Sequence, residues 1–290
     1  GHGVTHPVEP PAKALDMVGA ADVLAEDFDA VTDFVGTDVA QNDAMAKAVR
    51  AKGAEWGEPM IYQYENLVWT SWKLQPGTDL LRKRWERARE NGATLLQLTT
   101  WNDYTEHTDI APTAEFTRYT MMDLTSYFAS WWKTGKPPPT DHDRVYLIYP
   151  PYSYECEAYP FHDRNRGFGA QAIEVLTILT APATVRMPGR GDTWDVPAGL
   201  AWHQVPLTPG PVAAELVRDG KTVLTLTSPD PVTDRPYRQQ HGMICFSTVE
   251  LRHWKADFGD APPDALLRSD YGDIDGDGLP NWFEMYWFGK

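Results

Sequence analysis

Three short runs near the start of the chain share one rhythm of apolar and polar positions. Residues 30–36 (Ala-Val-Thr-Asp-Phe-Val-Gly), 59–64 (Pro-Met-Ile-Tyr-Gln-Tyr) and 94–100 (Thr-Leu-Leu-Gln-Leu-Thr-Thr) each read as a strand. Their starts lie 29 and 35 residues apart. Helical periodicity fills the gaps at 42–52 and 78–91, where Thr78 or Asp79 suits an N-cap and Gly92 a stop. Strand, helix, strand, helix at this spacing predicts βα units around a parallel sheet. A long amphipathic stretch, 113–133, follows the third strand. It ends at Gly135-Lys136-Pro137-Pro138-Pro139, a helix stop followed by a stiff linker.

Beyond the linker the texture changes. Short β-like runs at 145–149, 172–179, 184–187, 213–217 and 222–226 are punctuated by Pro, Gly and Asp. Asp219-Gly220 between two such runs is a hairpin signal. Many short strands separated by turns predict an antiparallel β-sandwich. The chain therefore divides into a βα-barrel-like part (1–140), a sandwich (141–254) and a tail (255–290) that begins with a linker around Pro262-Pro263.

Composition narrows the classes. The 290 residues are 42% hydrophobic and 23% charged, as in a folded globular protein. That length suggests about two domains, each long enough to bury a core. The net charge of −15 repels phosphate and argues against nucleic acid as a partner. No apolar run reaches the roughly 18 residues of a transmembrane span. Aromatic residues are 12% of the chain, with 12 Trp, and exposed flat rings are one way to hold a sugar; a Trp-rich core is the plainer explanation for most of them. Cys156 and Cys245 are the two cysteines, and neither has a zinc-site context. They form a disulfide only if the fold joins them in an oxidising compartment. The chain begins Gly1-His2-Gly3, which reads as a processing point or the edge of a fragment.

The tail carries a metal pattern. Asp273-Ile274-Asp275-Gly276-Asp277-Gly278-Leu279-Pro280-Asn281-Trp282-Phe283-Glu284 fits the twelve-residue EF-hand loop at every defined position. Asp273, Asp275, Asp277 and Glu284 supply side-chain oxygens, Leu279 its carbonyl, and Gly278 the sharp turn. The same acids also suit a turn that merely caps a helix over 281–288. The stretch resembles the calcium-binding repeats of dockerin-like and thrombospondin-type tails of secreted bacterial proteins. That resemblance implies a structural Ca2+, an extracellular location, and attachment of the tail to a cell surface or complex. No feature calls for an organic cofactor.

The chemistry candidate lies where the third strand ends, at Trp101-Asn102-Asp103-Tyr104-Thr105-Glu106-His107. Two carboxylates three residues apart, just past the C-terminal end of a parallel strand, occupy the place where βα barrels do chemistry. Glycoside hydrolysis needs such a pair: one group protonates the leaving oxygen, the other activates water or attacks. Trp101, Asn102, Tyr104, Tyr62, Tyr64, Trp69 and Trp72 are candidates for the substrate walls, with His107 in a supporting role. On pattern alone the same residues also read as a loop cap, solvated acids and barrel packing.

Residues 95–112, Leu-Leu-Gln-Leu-Thr-Thr-Trp-Asn-Asp-Tyr-Thr-Glu-His-Thr-Asp-Ile-Ala-Pro, resemble the signature stretch of glycoside hydrolase family 71, the endo-α-1,3-glucanases or mutanases. In that family a W-N-D-Y-x-E segment carries two essential acids, which fall here on Asp103 and Glu106. Family 99, the endo-α-mannosidases, has a related F-N-E-W-x-E segment; Asp103 and Tyr104 favour the glucanase side. Residues 127–135 resemble the last barrel helix of family 71, and 173–185, 195–200 and 228–231 the sandwich of its bacterial members. The likeness spans roughly residues 25–250 and is specific at 95–112. It implies a (β/α)8 barrel with an attached sandwich, secretion, an α-glucan substrate and inversion at the anomeric carbon.

Only three barrel strands are found, where eight are expected. This predicts that the chain is the C-terminal part of a longer enzyme and is inactive or aggregation-prone alone, with raw sheet edges. The rival class is a carbohydrate-binding or cell-surface module without catalysis. A closer rival keeps hydrolysis and changes the sugar to α-mannoside.

Overall fold

A computed structural model describes residues 16–34, 36–66, 71–73, 76–113, 116–152, 171–234 and 242–250. The first part alternates helix and strand: α1 (Met17–Asp27), β1 (Ala30–Thr32), α2 (Val39–Ala51), β2 (Glu55–Met60), β3 (Tyr64–Asn66), β4 (Ser71–Lys73), α3 (Asp79–Glu90), β5 (Leu95–Leu98) and α4 (Thr120–Thr134). β1, β2 and β5 are parallel and lie in that order, with β1 and β5 at the edges. Val31 and Trp56 face α1 and α2 in one apolar cluster. Met60 faces α3 and α4 in a second. Among the described residues the sheet is open, and no closed barrel is seen. Phe34, Leu95 and Leu98 are exposed around it.

Among the elements that differ from expectation, two start elsewhere for a reason the chain hides at a distance. The second strand begins at Glu55, not at Pro59, because a buried charge is accommodated in it. Glu58 is fully buried, accepts from Trp56 Nε1 at 2.8 Å and pairs with Arg84 of α3 at 3.4 Å. Arg84 Nη2 then donates to Asn42 of α2 at 2.6 Å, and Asn42 to Asp33 beyond β1 at 2.7 Å. This chain of contacts pins both helices to the sheet. α4 begins at Thr120, not at Thr113. Thr113 Oγ1 accepts from the amide of Arg118, which sits at φ 47° and sends its guanidinium to the Cys245 carbonyl (2.8 Å) and Asp230 (2.7 Å). The helix stops as expected, at Gly135 with φ 73°.

The second part is antiparallel. Its strands are β6 (Arg144–Tyr149), β7 (Ala172–Leu179), β8 (Ala183–Arg186), β9 (Thr193–Val196), β10 (Gly199–Pro206), β11 (Ala213–Arg218), β12 (Lys221–Thr227) and β13 (Ile244–Ser247). They form two four-stranded sheets, β10-β7-β6-β13 and β12-β11-β8-β9. Asp219 and Gly220 join β11 to β12 with φ 51° and 73°, the two positive values a tight hairpin needs. The two sheets share a core built from Leu147, Tyr149 and Val175 on one side and Val185, Leu216 and Leu226 on the other. The opposite face of the first sheet carries Tyr146, Ile148 and Leu176, which pack on Trp85 of α3 and on Leu124 and Phe128 of α4. β6 and β7 are thus buried on both faces along nearly their whole length, and the polar Glu174 and Thr177 of β7 are buried with them.

Each helix over that sheet is capped by a glutamate from far along the chain. Thr78, the N-cap of α3, does not cap its own helix. Its amide (3.0 Å) and hydroxyl (2.6 Å) both donate to Glu174 Oε1 of β7. Arg82 and Gln204 donate to the same carboxylate. A Cβ on Gly77 would come within 2.4 Å of it, so only glycine fits there. Glu250 receives the Tyr119 amide and the hydroxyls of Thr120 and Ser247, each at 3.0 Å, at the start of α4. Anions at helix N-termini satisfy free N–H groups and oppose the helix dipole.

No helix among the described residues is long and apolar enough to cross a membrane. Cys245 is buried; Cys156, and with it the predicted pairing, lies outside the described residues, as does the predicted tail.

Two outcomes follow from the caps. Glu174→Ala leaves Arg82 its pairing with Asp79 but removes the acceptor of the Thr78 amide and hydroxyl and of Gln204, and should cost about 2–4 kcal/mol in denaturant unfolding; a loss below about 1 kcal/mol would contradict the cap. Burial pushes the Glu250 carboxyl up to about 7 against the opposing amide of Tyr119 and charge of Arg118. Its proton is held more tightly folded than unfolded, so stability should fall as pH rises from 4.5 through about 7. Glu250→Gln should remove that fall, and an unchanged pH slope in the variant would refute the assignment.

Candidate active site

The candidate site is the loop that leaves the C-terminal end of β5. Residues 99–111 fold back on themselves through backbone bonds that threonine hydroxyls reinforce. Thr99 is tied to the neighbouring loops: its amide donates to Met60 O (3.0 Å) and its hydroxyl to Phe34 O (2.7 Å). The Thr99–Thr100 peptide is cis. The Thr100 amide donates to Thr108 O at 2.9 Å, and their hydroxyls meet at 2.9 Å. The amides of Ile110 and Ala111 return to the Trp101 carbonyl.

The two acids sit on the turn so closed. The Asp103 amide donates to Thr100 Oγ1 at 2.9 Å, and Asp103 Oδ1 accepts the amide of Glu106 at 3.0 Å. Both acids are half-buried on one turn. Trp101 and Tyr104 flank them and are 55% and 53% exposed, and Asn102 is exposed beside them. Large aromatic rings are thus left open to solvent next to the two carboxylates.

The segment after β2 grips the loop from below. Tyr62 is buried, and its hydroxyl donates to Asp109 O at 2.9 Å. Gln63 Nε2 donates to His107 O at 2.7 Å. Tyr64 donates to Glu106 Oε1 at 3.2 Å. Three successive residues thus hold positions 109, 107 and 106. His107 is half-buried at φ 48°, with its ring edge-on to Phe116 at 5.3 Å. Tyr62 and Tyr64 reach the site through their hydroxyls, from inside the core. Trp72 lies on β4, and Trp69 lies outside the described residues. So do Asp273, Asp275, Asp277, Leu279 and Glu284; the described residues hold no cluster suited to a metal.

Two residues at this site carry no signal in the sequence pattern. Gln63 reads as one polar position between two tyrosines. Asp109 reads as a solvated acid, yet it is buried, accepts from Thr117 Oγ1 at 2.8 Å, and has its carboxyl pushed up by burial.

Residues 39–243 match the model of Glycosyl hydrolase family 71. The chain belongs to glycosyl hydrolase family 71. The match covers about seven-tenths of the chain and includes the parallel strands β2 and β5, the loop of residues 99–111 and most of the antiparallel part. No curated protein and no solved structure matches the chain. As a family 71 member the chain is a glycoside hydrolase, and polysaccharide is the substrate class the family suggests.

The threonine brace makes a testable point about this family 71 loop. Thr100→Val keeps the side-chain shape and removes the hydroxyl contacts to Thr108 and to the Asp103 amide. Amide exchange at Asp103 and Glu106 should quicken by about thirtyfold, corresponding to about 1 kcal/mol for each of the two lost bonds. Exchange within β2 should not change; unaltered rates at both acids would show that the brace does not hold the turn.

Proposed function

We propose that this family 71 chain serves the hydrolysis of internal α-1,3-glucosidic bonds, with Asp103 and Glu106 as the acid and base. The observation that carries the reading is family membership combined with two half-buried carboxylates on one turn at the end of a parallel strand. In an inverting site one carboxyl protonates the glycosidic oxygen and the other draws a proton from the attacking water on the opposite face of the ring. Trp101 and Tyr104 then offer the apolar surface on which a glucose ring stacks. Asp103 and Tyr104, rather than the Glu and Trp of the mannosidase-like segment, favour glucan over mannan.

The wider reading places β1, β2 and β5 as three strands of a (β/α)8 barrel and the antiparallel sheets as a sandwich attached to it. The edges that β1 and β5 form among the described residues, with the exposed Phe34, Leu95 and Leu98, support further parallel strands beside them. The loop 273–284 is proposed to hold a structural calcium ion in a secreted protein, on the strength of its ligand spacing.

The test is hydrolysis of insoluble α-1,3-glucan by the native gene product that carries this sequence. Asp103→Asn and Glu106→Gln should each cut the release of reducing ends by on the order of 10³-fold or more. Near-normal rates in both variants would end the assignment. Retention on the glucan without new reducing ends in the wild type would favour a binding module, and preference for α-mannan would move the substrate.

A further inference from the structure

We propose that Gln63 is a positioning residue through which the antiparallel sheet sets the catalytic turn; this rests on Asp103 and Glu106 being the acid–base pair. Gln63 is fully buried, and its amide is used at both ends. Nε2 donates to His107 O at 2.7 Å, and Oε1 accepts the amide of Met243 at 3.2 Å. Met243 directly precedes β13, so one side chain joins the residue after Glu106 to the edge strand of the doubly covered sheet.

The same lead-in strand touches the loop twice more. A Cβ on Gly242 would lie 3.0 Å from Cγ of the His107 ring, so the backbone presses against that ring. The Cys245 amide donates to Phe116 O at 2.7 Å, and the Phe116 ring packs edge-on against His107. His107 holds a left-handed backbone, and its conformation fixes the direction in which Glu106 leaves the turn. A carbonyl anchored from one side and a ring braced from the other leave that residue little freedom. The antiparallel part is therefore a component of the catalytic loop's support and not a detachable binding unit.

The leverage exceeds the stability at stake. A displaced acid of about 1 Å costs on the order of 10²-fold in rate. Glutamate at position 63 gives a diagnostic response. As a carboxylate it still accepts from Met243 N but faces His107 O with a second acceptor. Protonated, it donates to His107 O as glutamine does, and burial raises the pH at which it stays protonated.

The experiment measures kcat and KM on α-1,3-glucan for the native gene product and its variants. Gln63→Met should lower kcat by about 10–100-fold with KM within about twofold. For Gln63→Glu, the ratio of variant to wild-type kcat should be near one at pH 5 and fall towards the Met variant's value by pH 8. Gly242→Ala, which pushes His107 from the other side and leaves Gln63 intact, should lower kcat in the same direction and covers the case in which a Gln63 variant does not fold. Unchanged kcat in Gln63→Met and Gly242→Ala, or a pH-independent ratio in Gln63→Glu, overturns the proposal. Glu106→Gln is the control: if it abolishes turnover while the Gln63 and Gly242 variants leave kcat unchanged, this inference alone fails, and if it retains turnover the acid–base reading falls with it.

Discussion

The double burial of β6 and β7 is the constraint on which the rest of the structure depends. One face of their sheet packs on β11, β8 and their neighbours, and the other on α3, α4 and Met60. A strand with two buried faces has no solvent side on which to place a charge without a partner. The one carboxylate in β7, Glu174, is consequently fully used, by the α3 N-terminus, Arg82 and Gln204. Glu250 does the same for α4. The parallel and antiparallel parts are therefore locked by the helices they share, and the lock is polar at both helix starts and apolar between them.

That lock reaches the site. α3 and α4 flank β5 in sequence, so fixing them fixes where the strand ends and the loop of residues 99–111 begins. Within the loop, threonine hydroxyls and backbone amides close the turn that carries Asp103 and Glu106. From below, Tyr62, Gln63 and Tyr64 hold its returning limb. The groups of the turn that reach solvent then include the two half-buried acids, Asn102, Thr105 and the rings of Trp101 and Tyr104. A loop braced in this way is suited to hold reacting groups at fixed separation, which a two-carboxylate mechanism demands.

Local chemistry was legible in the sequence and long-range chemistry was not. The order of strands and helices in the first part, the Asp219-Gly220 hairpin, the stop at Gly135 and the presence of a loop after β5 all rest on residues within a few positions of one another, and the structure has each of them. The start of β2 was missed because the partner that lets Glu58 lie in a strand, Arg84, is 26 residues away. The start of α4 was missed because Arg118 is claimed by Asp230, 112 residues on. The cap of α3 is 96 residues from its helix, and the amide that completes Gln63 is 180 residues away. No window on the sequence holds both ends of such contacts. Trp69 and the acids of 273–284 lie outside the described residues.

With Asp103 and Glu106 as the proposed acid–base pair, glycan is held at the loop after β5. The most direct test follows the indole N–H signals of the chain, with nitrogen-15 in its tryptophans, as an α-1,3-linked glucose oligosaccharide is added; Trp101→Phe assigns the decisive signal. The Trp101 indole should shift, while those of Trp194 and Trp202 on β9 and β10 stay in place. Shifts at Trp194 or Trp202 with Trp101 unmoved would place glycan recognition on the antiparallel sheets and contradict the account.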